Sequence, residues 1–194
     1  MLKKRKSSDS RIYLIRQLEI GMNSNIIVRQ WLPSDSERTI ELFSLGEELQ
    51  YSDDPKTREA AKEFIKCSIS TDLNNISSVY FNRSEKPRGC FWVAEDVSKS
   101  LILGIVGLEY KNHQEAELRR MFVDRAHKGK GIGSLLIEKL IEFAKEEGFQ
   151  SIHLQTLANA TAQYFYKKHG FTIHSELTTG LDDIVHLLKM TISL

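Results

Sequence analysis

Cysteine, proline and long apolar runs are all scarce in this chain, and each scarcity removes a class of protein. There are 194 residues, with two cysteines and three prolines. Cys67 and Cys90 are too few and too far apart for a metal knuckle or a disulfide framework. Each lies in an apolar context (Phe64-Ile65-Lys66-Cys67 and Gly89-Cys90-Phe91-Trp92), so both are expected to be small buried thiols. Neither has an evident histidine partner, which argues against a cysteine nucleophile and a covalent intermediate. His113, His127, His153, His169, His174 and His186 show no H-x-H or H-x-x-x-H spacing, and no metal is expected. Charge of one sign is lacking too: 27 Lys+Arg less 26 Asp+Glu leaves +1. No nucleic-acid partner is therefore expected, and a stacking module would also need aromatic-basic interleaving. The longest apolar run, between Ser100 and Glu109, is of strand length and far short of the ~18–20 residues of a membrane span, so none is expected. The N-terminus carries Lys3, Lys4, Arg5 and Lys6 but no apolar stretch of signal-peptide length. A cytoplasmic location is expected, the basic cluster being compatible with a nuclear address or, more commonly, a solvated tail.

What is present reads as a single domain. Residues 1–24 form a basic N-terminal extension and 25–194 the domain, with no repeat or linker to divide it. Ile26–Trp31 is rich in β-branched residues and predicts a strand. Beyond Pro33, Ser34, Asp35 and Ser36 offer caps for a helix over 36–49, with Ile40, Leu42, Phe43, Leu45 and Leu49 on its apolar side. A second helix, 56–70, follows Pro55, and 71–88 carries no clear pattern. Strand-like runs follow at 90–95, 101–110 and 115–123, joined by short polar connections that favour an antiparallel meander. Then come an amphipathic helix over 131–147 ending at Gly148, a strand over 151–156 and a helix over 160–169 ending at Gly170. A last strand pair spans 171–177 and 184–192. The order βααβββαβαββ predicts an α/β (α+β) fold: a central, mixed but mostly antiparallel sheet with helices on both faces.

The informative stretch is Arg119–Val123 followed by Lys128-Gly129-Lys130-Gly131-Ile132-Gly133-Ser134. A strand running through a basic, glycine-rich turn into a helix brings unpaired backbone N–H groups and a positive dipole end together. Glycine lets an anion approach the backbone with no Cβ in the way. The turn therefore predicts a phosphate site. A P-loop string, G-x-x-x-x-G-K-[ST], does not occur, and a dinucleotide fingerprint would need glycine where Leu136 stands. By itself, the turn is also compatible with a tight β–α connection that binds nothing, although the phosphate site is the favoured reading.

The sequence resembles the GCN5-related N-acetyltransferase superfamily. The family's Q/R-x-x-G-x-G/A motif matches Lys128–Gly133 with lysine in the Gln/Arg place, which keeps the charge and loses a forked donor set. A second block, Asn followed by Ala, Tyr and Gly-Phe, matches Asn159, Ala162, Tyr166, Gly170 and Phe171. Phe91–Glu95, Leu103–Gly107 and Ala116–Leu118 are similar to the N-acetyltransferase 8-like subgroup. Those proteins carry an apolar membrane segment where this chain is polar, at about 56–88, so no membrane role is carried over.

The resemblance implies acetyl-CoA as cosubstrate and an amine as acceptor, with direct attack in a ternary complex. It implies that Met121, Phe122 and Val123 pair with the pantetheine arm, that Lys128, Gly129, Lys130, Gly131, Ile132, Gly133 and Ser134 hold the pyrophosphate, and that Asn159 binds pantetheine or caps a helix. Tyr166 occupies the position of the acid that protonates the departing thiolate, and it is preferred over Tyr164 on the family register. Glu117 is the candidate base, with Glu109, His113 and Glu115 as substitutes; it is equally a strand-edge carboxylate or a partner of Arg119. Strand alternation puts Glu117, Arg119, Met121 and Val123 on one face unless a bulge intervenes. Arg119 and Arg120 beside Glu117 suit an acceptor carboxylate, or pair with acids on neighbouring strands. A monomer or homodimer is expected. The rival function is a non-catalytic acyl-CoA-binding regulatory module on the same fold.

Overall fold

The fold was analysed in a computed structural model that describes residues 25–48, 55–158, 162–179 and 185–194. The expected extension 1–24 and Asn159 lie outside the described residues. In chain order the elements are β1 (Ile26–Gln30), α1 (Ser36–Glu48), α2 (Pro55–Thr71), α3 (Ile76–Tyr80), β2 (Cys90–Asp96), β3 (Leu101–Tyr110), β4 (Glu115–Val123), α4 (Ile132–Glu147), β5 (Ser151–Leu157), α5 (Ala162–Lys168), β6 (Thr172–Thr179) and β7 (Val185–Ser193). The expected order holds, with α3 and a 3-10 turn, Leu73–Asn75, filling part of the stretch that had no pattern. The strands form one sheet in the order β1-β2-β3-β4-β5-β7-β6. All neighbours are antiparallel except β4 and β5.

Two apolar layers cover the sheet, and β2 shows why. Cys90, Trp92 and Ala94 point to one face and Phe91 and Val93 to the other, all of them buried. On the first face lie α4, through Ile132, Leu136, Ile137, Leu140 and Ala144, and α5, through Tyr166. On the second lie α1 (Leu42, Phe43), α2 (Ile65) and α3 (Ile76, Tyr80). Helix α4 ends as expected, with Gly148 left-handed at φ 93° and donating to Ala144 and Lys145. Two apolar expectations fail: Cys67 is exposed rather than buried, and Leu45 is on the open side of α1. In both cases an apolar type at a permissive spacing was read as core, although α1 and α2 each bury only one stripe.

Strand β4 carries the main irregularity. Ile105 pairs with Phe122 but Gly107 pairs with Arg119, so one extra residue is inserted on β4. Arg120 absorbs it with φ 55°, a left-handed conformation that costs a non-glycine residue roughly 1–3 kcal/mol. Alternation consequently breaks. Glu117 and Arg119 do not share a face with Met121 and Val123, which pack with α4 and α5; the proviso of a bulge is the case that applies. Arg119 and Arg120, although successive, both reach Asp72, at 3.9 and 2.8 Å respectively.

Asp72 holds the bulge from the α2–α3 side. Arg120 donates to its carboxylate through Nε (2.9 Å to Oδ2) and Nη2 (2.8 Å to Oδ1), and the Tyr80 hydroxyl donates to Oδ2 at 2.6 Å. All three side chains are buried. The Arg120 guanidinium also lies 4.9 Å from the ring centre of Phe43. Removing one partner of such a pair leaves a buried, uncompensated charge. Asp72→Ala is accordingly expected to lower the unfolding free energy by roughly 3–5 kcal/mol in urea titrations. A loss below about 1 kcal/mol, the level of an exposed pair, would show that Asp72 does not hold the bulge.

Candidate active site

The parallel pairing of β4 and β5 lasts only three residues, Glu115–Glu117 against Ser151–His153. Beyond it β4 continues to Val123 on β3, and β5 continues to Leu157 on β7. The two strands thus part into a V with its vertex at Glu117 and His153. Backbone amide and carbonyl groups on the inner edges beyond the vertex are available to an extended ligand, because each strand has spent only its outer edge.

The glycine turn stands at the far end of the β4 arm. Asp124 starts it, accepting from the Ala126 amide at 2.9 Å and from Arg38 Nη2 at 2.8 Å. Lys128, Gly129 and Lys130 follow in the open. Gly131, at φ 80° and ψ −4°, is the left-handed residue that turns the chain into α4. A side chain there would oppose the turn, which is the requirement for glycine. The first amides of α4, at Ile132, Gly133 and Ser134, have no acceptor within the helix and lie at its positive end. Gly133 meets the Phe165 ring, which a Cβ would approach to 3.3 Å. Ser134 Oγ is 3.2 Å from His169 Nε2 and links α4 to the end of α5. Backbone donors, two exposed lysines and a 16-residue helix together suit a polyphosphate.

Tyr166 is buried on α5 between Phe165 and Phe171, with ring centres 5.4 and 5.8 Å away. Burial first, and then the negative charge of Glu47, push its phenol above the ordinary value, so it stays protonated at neutral pH. Tyr164, the other aromatic candidate on this helix, points to solvent. Glu117 lies at the vertex, ion-paired with Lys111 Nζ at 3.1 Å and registered beside His153. Burial lowers the pKa of His153, partly opposed by Glu117, so the imidazole is neutral at neutral pH. The lower-ranked acids are engaged elsewhere: Glu109 accepts from Arg119 at 2.6 Å and Glu115 from Asn112 at 3.0 Å. His113 is exposed and stacks edge-on to Tyr110. With Arg119 bound to Glu109 and Arg120 to Asp72, the arginines pair within the protein.

The sequence reading passed over Glu47. It lies in the last turn of α1 on the buried stripe Thr39, Phe43, Glu47, and a carboxylate four residues after a core phenylalanine was the available signal. Burial raises its pKa from 4.5 to about 7, with Arg120 acting in the opposite direction. Gly46 lets this turn sit against β4, since a Cβ there would come within 2.1 Å of the Phe122 ring. Glu47 is therefore next to the open arm of the V, and its charge is felt at Tyr166 on the opposite face of the sheet.

An open V between two strands that pair in parallel only at its vertex, with a glycine turn and a helix N-terminus at the end of one arm, suits an extended anionic ligand. The PaiA N-acetyltransferase of Thermoplasma acidophilum, solved in complex with coenzyme A, shares this fold with a TM-score of 0.69 at 22% identity, over 87% of this chain and 99% of that one. A GNAT-family acetyltransferase from Staphylococcus aureus aligns with a TM-score of 0.66 at 26% identity, over 87% and 98%. The family model "Acetyltransferase (GNAT) family" matches residues 52–171, and the chain belongs to that family. Among curated proteins it is 36% identical to N-acetylaspartate synthetase of Xenopus tropicalis over 67% of this chain and 45% of the relative. It is 29% identical to human N-acetyltransferase 8 over 56% and 48%. The chain thus spans less than half the length of these relatives. Among the described residues no helix is long and apolar enough to cross a membrane.

Glu47 gives a pH test of the geometry. Its folded pKa lies above the ordinary 4.5, so the unfolded chain releases the proton first. The stability carried by protonated Glu47 is complete below about pH 4.5 and is lost as pH rises through about 7. That loss is on the order of 3 kcal/mol. In urea titrations from pH 5 to 8, Glu47→Gln should remove most of this decline. An unchanged slope would place Glu47 in water.

Proposed function

We propose that the protein is an acetyl-CoA-dependent N-acetyltransferase, moving the acetyl group to a primary amine of a small molecule or protein by direct attack. The observation that carries it is the V between β4 and β5 with the glycine turn at the end of the β4 arm. Extended pantetheine suits the inner edge of Met121, Phe122 and Val123, and pyrophosphate suits the amides from Gly129 to Ser134. Lys128 and Lys130 supply charge, and the family register gives Asn159 to the pantetheine arm. The thioester carbon then falls near the vertex, within the reach of α5.

The amine must arrive neutral, having lost one proton to a carboxylate. Its nitrogen attacks the thioester carbon, and the C–S bond breaks as the tetrahedral adduct collapses. Tyr166 gives its phenolic proton to the departing sulfur and regains one from the nitrogen. A buried phenol held protonated suits this step, because it donates only when a strong base, the thiolate, forms beside it. Glu117 at the vertex is the base implied by the resemblance. The relatives named N-acetylaspartate synthetase put aspartate first among acceptors to be tested. A regulatory module that only binds acyl-CoA would have no use for a phenol in the position of the family's acid.

Acetyl-CoA mixed with a panel of aspartate, other amino acids, polyamines and peptide amines should release free thiol with at least one acceptor. Tight coenzyme binding with no thiol release from any of them would favour the binding module. Tyr166→Phe should lower kcat by about a hundredfold with acetyl-CoA binding retained. Lys128→Ala should do the reverse, weakening acetyl-CoA binding about fivefold in calorimetry while kcat changes little, as removal of one exposed phosphate contact worth roughly 1 kcal/mol.

A further inference from the structure

The second apolar layer stops at β4. Helices α1, α2 and α3 pack on residues of β2, β3 and β4, and among the described residues none from β5, β6 or β7 belongs to that cluster. On the other side of these outer strands, Ile152, Leu154, Leu188 and Met190 lie under α4 and α5. The pairing of β5 with β7 runs from Ser151–Ser193 to Leu157–Leu187 without a register shift, so alternation turns the intervening residues to the second face. Three rows cross this part of the sheet, their members half-buried or exposed. The first, level with the vertex, holds Glu117, His153 and Thr191. The second holds Gln155, Lys189 and Ser175. The third, Leu157, Leu187 and Leu177, is apolar.

Helices α4 and α5 close the first face of the V and bring the glycine turn and Tyr166 to it, which leaves the second face for the acceptor. Gln155 is the first residue of β5 on that face beyond the last pair with β4, and Lys189 stands directly across from it on β7. Neighbouring strands are about 4.8 Å apart, a distance that a lysine side chain spans. Successive rows on one face are about 6.5–7 Å apart. An acceptor with its amine at the vertex row therefore carries its next polar group onto the second row. After burial, the charges of Glu117, Lys189, Glu115 and Lys111 act on His153, so Lys189 is within electrostatic range of the vertex. The β4 side offers no equivalent cation, since Arg119 pairs with Glu109 at 2.6 Å and Arg120 with Asp72 at 2.8 Å.

We propose that Lys189, with Gln155 beside it, binds a carboxylate of the acceptor, which makes the acceptor a small anionic amino compound of the amino-acid class. The proposal rests on the acetyl-transfer reading above. The ammonium supplies charge and three donors, and the Gln155 amide supplies a neutral donor. The apolar third row ends the polar strip after two rows, which matches an acceptor of a few carbons. A polyamine would set an ammonium against Lys189 and is selected against.

The test uses the full chain with acetyl-CoA and measures kcat/KM for the amine panel and for carboxamide analogues of the amino acids. With the unsubstituted protein an amino acid should be the best acceptor. Converting one of its carboxylates to a carboxamide should lower kcat/KM by about tenfold or more, mainly through KM. In Lys189→Met that ratio should fall to about one, with acetyl-CoA binding within about twofold of the original. Lys189→Arg should keep most of the ratio, and Lys189→Glu should move the preference toward polyamines. A role in folding alone would lower both rates together and leave the ratio intact. A ratio that survives Lys189→Met overturns the proposal. So does a native chain that acetylates a polyamine or an uncharged amine as well as any amino acid, a comparison that needs no variant to be stable. Either result leaves acetyl transfer standing, whereas absence of acetylation of every amine by the native chain fails that reading and the proposal with it.

Discussion

The buried pair between Asp72 and Arg120 is the interaction on which the site depends. A left-handed arginine in the middle of a strand is unfavourable by itself, and it persists because three hydrogen bonds and the ring of Phe43 fix the guanidinium. Its consequences run along β4 in both directions. Before the bulge, β4 is an ordinary member of the sheet, bonded to β3 and β5. After it the side chains have exchanged faces, and the strand travels with β3 alone. Met121 and Val123 thereby join the layer under α4, while Phe122 turns to α1. The pair, placed in the second layer, thus shapes a cleft that opens toward the first.

The same bulge decides the electrostatics of the vertex. Two cations in succession on one face would repel each other, and each has an acidic partner from a different element: Glu109 on β3 for Arg119, and Asp72 before α3 for Arg120. Glu47 and Tyr166 are also buried, and burial raises the proton affinity of both. Burial moves the carboxyl toward neutral pH and moves the phenol away from it, so that the phenol stays protonated. The charge balance is local: the chain as a whole carries only +1, and the charges beside the bulge cancel in pairs.

Much of this was legible in the sequence. The order of strands and helices, the termination of α4 at Gly148 and the glycine turn that opens α4 at Gly131 follow from local rules of spacing, capping and glycine conformation. The likeness to the acetyltransferases also rested on contiguous blocks. The failures share a different origin. Period-two alternation placed Glu117, Arg119, Met121 and Val123 on one face, and a single inserted residue at Arg120 undid it. Cys67 and Leu45 were assigned to the core by residue type, whereas each faces out of a helix that buries another stripe. Asp72 and Glu47 drew no notice, because an acid in a polar stretch and an acid near a helix end look like surface.

The sequence by itself thus determined which elements form, in what order, and where a glycine turn opens a helix, since each of these depends on neighbours a few residues away. The tertiary structure decided the length of the β4–β5 pairing, the hand-over of faces at the bulge and the burial of Glu47 within electrostatic range of Arg120 and Tyr166. Those groups are separated by 73 and 119 residues in the chain, counted from Glu47. Their proton affinities depend on desolvation and on one another's charge, which are properties of the packed arrangement and have no counterpart in local sequence.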